Sequence, residues 1–375
     1  MKFLHLHSSF DTGGKELRCV RLINAFGPEI RHTIVSAQPH ALGAAQYVLP
    51  SIPTVYPRGF PQLTGFPGPG RLRRLAQAMR GHDLVLTYNW GAMDAVMAHT
   101  VYGKVFNLPP LVHQEDGFNE DEAQRLKSSR NWYRRIALGG AQALVVPSTL
   151  LERIARGVWY QPDARVHRIA NGIPTEAYRK PPRKDALRGI VKHKGECWLG
   201  TLAGLRPVKN LGRLVRAVEK LPENWQLVIL GEGPERAALR AEAERLGVAH
   251  RVHLPGFAPD PAKAVGLFDL FALSSESEQF PISVVEAMAA GLAVAAPAVG
   301  DIAAMVSVQN RPFIVAPGDE NALAEAFVRL ARDKALRSEI GAANRAKAQA
   351  EYDEAGMIAA YRALYAGVMG QEDLP

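Results

Sequence analysis

Short apolar runs alternate with longer stretches of helical spacing along most of the chain. Residues 3–6, 32–36, 84–87, 110–113 and 143–147 read as strands, and residues 16–26, 71–80, 93–105, 125–138 and 149–156 between them repeat at the helical period. The strand segments are apolar on both alternating sets of positions, as strands buried on both faces are. The pattern therefore predicts a parallel sheet covered by helices on either side. A stretch rich in Pro and charge at 174–185 interrupts the alternation, which then restarts with strands at 198–202, 226–230, 252–254, 270–273, 293–296 and 313–315 and helices such as 211–220 and 235–246. The expected architecture is α/β, with two Rossmann-like doubly wound parallel-sheet domains facing a cleft. Residues 1–175 form the first domain, 176–185 a linker, 186–352 the second domain, and 353–375 a terminal helix with Ile358, Tyr361, Leu364, Tyr365 and Val368 on one face.

A chain of 375 residues exceeds a comfortable single core, which agrees with two domains. Cys19 and Cys197 are the only cysteines. Far apart and set in apolar surroundings, they suit buried thiols in a reducing compartment, and the pair makes neither a disulfide framework nor a metal site. The opening M-K-F-L-H-L-H-S-S turns polar quickly, and no apolar run approaches the roughly 18 residues needed to cross a bilayer. The expectation is a cytoplasmic protein that starts at Met1.

The net charge of +8 is uneven: residues 1–180 carry 22 Lys plus Arg against 13 Asp plus Glu, a balance of +9. An anionic membrane surface would suit that half. Nucleic acid suits it less, because the basic residues are scattered and no zinc, helix-turn-helix or ribonucleoprotein signature accompanies them, so no nucleic-acid partner is expected. The segment 125–138, R-L-K-S-S-R-N-W-Y-R-R-I-A-L, would fit either a membrane interface or a half-buried helix.

The densest chemistry lies at 278–292, E-Q-F-P-I-S-V-V-E-A-M-A-A-G-L. Glu278 should precede a short helix that ends at Gly291, with Glu286 inside it. A helix N-terminus offers unpaired amides to a phosphate, and the two carboxylates could accept hydrogen bonds from sugar hydroxyls, which suits a nucleotide-sugar. Near the start, the loop S-S-F-D-T-G-G-K-E carries Gly13 and Gly14, where backbone can approach a ligand closely. Other candidates are Lys209 in T-L-A-G-L-R-P-V-K-N-L, the turn L-G-E-G-P-E with Gly231 and Gly233, the segment H-L-P-G-F at 253–257, and His113 with Glu115 and Asp116 in L-V-H-Q-E-D-G.

These motifs resemble the retaining glycosyltransferases of the GT-B fold (glycosyltransferase family 4, glycosyl transferases group 1). The resemblance is strong over 278–291, good around Lys209 and in the terminal helix, and weak through most of the first half. It implies that Glu278 contacts the donor sugar, Glu286 the ribose and Lys209 the diphosphate, that Phe280, Pro281 and Ile282 open the donor-binding helix, and that the 253–257 segment meets the nucleobase. Gly13, Gly14, Gly231 and Gly233 would line the donor site, and His113 would contact the transferred sugar or the acceptor. The terminal helix would cross back to the first domain. One departure stands out: the family arginine near Lys209 is Gly204 here, and Arg206 lies two places on. Either Arg206 supplies the missing cation or the leaving group is stabilised by fewer charges.

There is no D-x-D triplet, phosphate loop, H-E-x-x-H or G-x-S-x-G in the chain. The expected activity is metal-independent retaining transfer, without a cofactor, of a sugar from a nucleoside diphosphate donor, uridine-linked, to a glycan or lipid-linked glycan. Rival readings are a non-hydrolysing nucleotide-sugar epimerase and a non-catalytic nucleotide-sugar- or glycan-binding subunit.

Overall fold

The computed structural model describes every residue except 119, 123 and 124, and residue 120 for its backbone alone. Two compact units are present, one of Met1–Asn171 with Met357–Pro375, the other of Gly172–Gly356. In the first unit the strands are β1 (Lys2–His7), β2 (Arg31–Ser36), β3 (Thr54–Val55), β4 (Leu84–Tyr88), β5 (Leu111–Gln114), β6 (Ala143–Val146) and β7 (Val166–Arg168). They form one parallel sheet in the order β3-β2-β1-β4-β5-β6-β7. Helices α1 (Gly14–Phe26), α2 (Pro69–Met79), α3 (Met93–Phe106), α4 (Ser128–Ala137) and α5 (Thr149–Gly157) connect them. The strand and helix expectations hold to within a few residues. The sequence pattern missed only β3 and β7 in this sheet. These are edge strands of two and three residues, too short for periodicity to register.

The second unit repeats the plan with β8 (Cys197–Leu202), β9 (Trp225–Leu230), β10 (Val252–Gly256), β11 (Leu270–Ala272), β12 (Val294–Pro297) and β13 (Ile314–Val315), ordered β10-β9-β8-β11-β12-β13. Its helices are α6 (Gly212–Ala217), α7 (Arg236–Arg245), α8 (Ile282–Ala289), α9 (Ile302–Met305), α10 (Glu320–Arg332) and α11 (Lys334–Glu351). The helix expected at 211–220 is α6 continued by a 3-10 turn at Val218–Lys220. The two parallel-sheet units bear out the α/β architecture of two Rossmann-like domains that the sequence pattern predicted.

Part of the expected linker packs within the second unit. Ile173 bridges to Asp353, Thr175 Oγ1 donates to Asp353 Oδ2 at 2.5 Å, and Thr175 and Tyr178 are buried. The last helix, α12 (Glu354–Val368), lays Met357, Tyr361 and Tyr365 into the first unit's core beside Phe3, Phe26 and Tyr88. There Tyr365 accepts a hydrogen bond from the Gln114 side-chain amide at 3.0 Å.

In each sheet the chain leaves the centre in both directions, at β1 between β2 and β4 and at β8 between β9 and β11. Adjacent loops at such a reversal depart to opposite faces and open a crevice at the carboxyl ends of the strands. Helix α8, which begins at that edge of the second unit, is held by α11. Arg345 donates to the carbonyls of Ala289 and Ala290 at 3.3 and 2.8 Å, and Asn344 to that of Leu292 at 2.8 Å, so the open carbonyls at the helix end are satisfied. Backbone meets backbone there, since a Cβ on Gly341 would fall 2.0 Å from the Gly291 carbonyl oxygen. Gly341→Ala must therefore force α11 away from α8. It should destabilise the second unit by about 1–3 kcal/mol despite alanine's better helix propensity, read as a lower midpoint in chemical denaturation.

Candidate functional site

The loops that follow β8 and β11 meet at the reversal of the second sheet. Pro207–Lys209 is a 3-10 turn closed by Asn210 in the left-handed region, φ 43°. Three hydrogen bonds join it to the β11 loop: Ser274 Oγ to the Lys209 carbonyl at 2.9 Å, the Glu276 amide to the Val208 carbonyl at 2.9 Å, and Asn210 Nδ2 to Glu276 Oε1 at 2.9 Å. They bring together two side chains 69 residues apart. Lys209 Nζ lies 2.5 Å from Glu278 Oε1, and Ser275 Oγ donates to the same oxygen at 2.6 Å. The two side chains keep 26% and 11% of their surface open, so a cation and a carboxylate stand side by side within reach of a ligand. The loop after β12 supports this arrangement from below. Gly300, φ 57°, sits so close that a Cβ would fall 2.4 Å from the Glu278 carbonyl oxygen, and the Asp301 amide donates to the Gln279 carbonyl at 3.2 Å.

Helix α8 starts at Ile282 with Pro281 at its N-cap, and Phe280 packs edge-on against Tyr352 at 5.6 Å between centroids. Glu278 precedes the helix and Glu286 lies within it, as the spacing predicted. Glu286 is buried and accepts a hydrogen bond from the Tyr178 hydroxyl at 3.0 Å. Tyr178 and Ser275 were not singled out from the sequence. Tyr178 sits in the stretch that reads as linker, and nothing in its neighbourhood points to a carboxylate 108 residues away.

The glycines of the β9 loop have a packing reason. A Cβ on Gly231 would fall 1.9 Å from the Ala203 carbonyl oxygen and one on Gly233 2.5 Å from that of Leu205, where the Leu205 amide bonds to the Glu232 carbonyl at 2.9 Å. Both loops thus pack backbone to backbone. At Gly204 the nearest atom to a built Cβ is Arg206 Nε at 3.4 Å, so the exposed Arg206 side chain lies over the place where a side chain of residue 204 would begin. Residues 253–256 of the 253–257 segment fall on β10, whose Gly256 carbonyl accepts from the Gly231 amide at 2.9 Å.

In the first unit, Gly13 caps and Gly14 opens α1 at the end of the β1 loop, where Lys15 Nζ donates to Ser8 Oγ at 3.3 Å. Glu16, in the first turn of α1, is buried, and that burial raises its pKa against the pull of Lys15. His113 is on β5 but reaches no open surface. Its Nδ1 pairs with Thr87 Oγ1 at 2.8 Å, and Nε2 lies 3.7 Å from Glu115 without a hydrogen bond. Arg18, not anticipated, is buried on α1 and bonds Gln114, Asp116 and Asn171, tying α1 to the end of β5.

The charged stretch at 125–138 contains the half-buried helix α4. Arg134 is fully buried, paired with Glu115 at 3.2 Å and Glu122 at 3.3 Å, and lies over the rings of Trp90, Phe118 and Trp159. Arg130 pairs with Asp121 and Glu122, and the Tyr133 hydroxyl donates to Asp94 at 2.7 Å. The outward residues of α4 are Trp132, Arg135 and Ile136, beside exposed Tyr160. Among the described residues no helix is long and apolar enough to cross a membrane.

Comparisons with known proteins agree with the folded architecture. The family described as "Glycosyl transferases group 1" matches residues 184–347, and "Glycosyltransferase Family 4" matches residues 12–177. N-acetyl-alpha-D-glucosaminyl L-malate synthase of Bacillus anthracis is 23% identical over 211 residues, 56% of this chain and 55% of that protein, so this match spans about half the relative's length. GDP-mannose-dependent alpha-mannosyltransferase of Mycobacterium tuberculosis is 26% identical over 294 residues, 74% of this chain and 72% of that protein. The crystal structure of Anabaena Alr3699/HepE, solved with UDP, superposes with a TM-score of 0.79 at 21% identity, covering 98% of this chain and 100% of the other. It has also been solved with UDP-glucose. With its two halves matched in turn by these two families and its fold shared throughout, the chain belongs to the GT-B glycosyltransferases.

Proposed function

We propose that the protein is a retaining glycosyltransferase that moves a sugar from a uridine diphosphate donor to a hydroxyl of a glycan or lipid-linked glycan at the inner face of a membrane. The observation that carries this reading is the Lys209–Glu278 pair at the sheet reversal, directly ahead of α8. The UDP and UDP-glucose complexes of the Anabaena protein, which shares the fold, support a uridine donor.

In this reading the diphosphate lies against Lys209, Arg206, the loop glycines and the leading amides of α8, while the ribose meets Glu286, held in place by Tyr178. The bond from the anomeric carbon to the phosphate oxygen breaks, and its electron pair leaves with the diphosphate. Lys209 stabilises that growing negative charge, and Glu278 the positive charge left on the sugar. The acceptor oxygen bonds to the anomeric carbon on the face the diphosphate leaves, and its proton passes to a phosphate oxygen. These residues need no metal ion or cofactor to act in this way.

The test is a mass-spectrometric screen of nucleotide-sugars with candidate acceptors, run on the intact enzyme and on Glu278→Gln. Donor turnover with transfer is expected, and Glu278→Gln, which keeps shape but loses charge, should slow it about a hundredfold while leaving affinity for free UDP unchanged. Interconversion of sugars at constant mass would instead mean an epimerase, binding without turnover a non-catalytic subunit, and wild-type turnover in Glu278→Gln a different site.

Arg206 lying over Gly204 suggests that it supplies the cation of the family arginine. Arg206→Ala should lower kcat about tenfold or more, since the missing charge matters most as the diphosphate departs. Gly204→Arg in the Arg206→Ala background should restore most of it. A kcat indifferent to both would leave Lys209 as the main cation.

For the membrane, the surface that remains is Trp132, Arg135 and Ile136 with Tyr160, an aromatic and basic patch. Sedimentation with anionic vesicles should fall as the Debye length shrinks from about 10 Å at 0.1 M salt to about 3 Å at 1 M. It should fall again in Trp132→Ala/Arg135→Gln/Ile136→Ser. Equal binding to neutral and anionic vesicles would point to a soluble acceptor.

A further inference from the structure

Strand β1 carries two histidines, His5 and His7, on the face that meets α1, since residues two apart along a strand project to the same side. Neither is exposed, and Cys19, on α1 across from them, is buried as well. One donor atom from each of the three lies within 4.8 Å of the others, and among the described residues no other group of three or more His, Cys, Asp or Glu is spaced as metal ligands. The Tyr88 hydroxyl completes the cluster, 3.0 Å from His5 Nδ1 and 3.4 Å from Cys19 Sγ, with Cys19 Sγ itself 3.4 Å from His5 Nδ1. Adjacent ligands of a tetrahedral zinc ion stand about 3.3–3.7 Å apart, given metal–nitrogen bonds near 2.0–2.1 Å and metal–sulfur bonds near 2.3 Å. The two separations from Cys19 Sγ, to His5 Nδ1 and to the Tyr88 hydroxyl, already lie in that range, and the third, 3.0 Å between His5 Nδ1 and Tyr88, is a little shorter.

Two further features fit a bound cation. His7 is fully buried, yet neither ring nitrogen has a hydrogen-bond partner; its ring stacks on Tyr88 with centroids 3.9 Å apart and packs against Phe10 at 4.9 Å. Buried polar groups are rarely left so, because an unpaired one costs about 1–3 kcal/mol. His5 turns its other nitrogen, Nε2, to His32 Nδ1 at 2.9 Å, the outer hydrogen bond that orients a metal-bound imidazole.

We propose that His5, His7 and Cys19 bind a borderline-soft divalent transition ion, zinc by the chemistry of the donors, with the Tyr88 hydroxyl at the fourth corner. Cys19 gives up its thiol proton to solvent as the sulfur–metal bond forms, so one proton is released per ion bound. The ion clamps β1 to α1 on either side of the Ser8–Gly13 loop and so holds the Gly13–Gly14 turn. The site belongs to the first unit, whereas Lys209 and Glu278 belong to the second.

The test uses the full chain without a histidine tag, produced in medium supplemented with zinc or with cobalt as a spectroscopic stand-in, alongside His7→Phe and Cys19→Ala. His7→Phe keeps the ring stacking but removes both nitrogens, so it should fold without metal at least as well as the native chain. About one ion per chain is expected in the native protein, with a thiolate-to-cobalt charge-transfer band in the near ultraviolet. His7→Phe should lose the ion, and Cys19→Ala should lose the band. Restoring zinc to chelator-stripped native protein should raise its Tm by about 5–10 °C at a hundredfold excess over Kd, with no rise in His7→Phe. Metal content no higher in the native chain than in His7→Phe, or bound cobalt without the thiolate band, would overturn the proposal and leave His7 as a stacked core ring.

Discussion

A parallel sheet cannot join neighbouring strands by tight turns, so every connection must cross a face of the sheet and return, and all the strand ends of one kind gather on one edge. Both units obey this constraint, with parallel pairing from β3 to β7 and from β10 to β13. Where the order reverses, the two central loops diverge, and the chain must have conformations available there that few side chains permit. Gly13 and Gly14, Lys209, Glu278, Gly231 and Gly233 all lie on loops, or at helix starts, that follow strand ends on that edge. The candidate chemistry gathers at the carboxyl ends of the strands, where loops diverging at the sheet reversal open a crevice.

Loops of this kind would be mobile if left to themselves, and the second unit restrains them with backbone contacts. The Pro207–Lys209 turn is hydrogen-bonded to the β11 loop, the β9 loop packs on Ala203–Leu205 through glycines, and Gly300 abuts the Glu278 carbonyl. The result is pre-organisation. Lys209 and Glu278 are held together before any ligand arrives, so less order has to be imposed when a charged donor binds.

Buried charge is handled differently in the first unit. Arg134 sits between two carboxylates and three aromatic rings, and Arg18 between Asp116, Gln114 and Asn171. An isolated buried cation would be very unfavourable, and each is tolerated because the terminal nitrogens of its guanidinium meet acceptors from separate elements.

Apolar runs on both strand faces, separated by helical spacing, were enough to read the two parallel sheets, because burial on both sides leaves an unmistakable pattern. Glu278 ahead of α8 and Glu286 within it were legible for the same local reason: a Pro near the helix start and a Gly after its end mark the helix whatever surrounds it. Edge strands β3 and β7 were not legible, being too short to carry a period. Nor were the contacts that close the loop between distant positions. That Lys209 meets Glu278, that Tyr178 reaches Glu286 from an apparent linker, that Arg134 is core and Arg135 surface, and that two histidines and a cysteine share one buried corner all depend on which elements the sheet order makes neighbours. Local sequence specifies which way a side chain points along its own helix or strand; only the tertiary fold decides what it finds there.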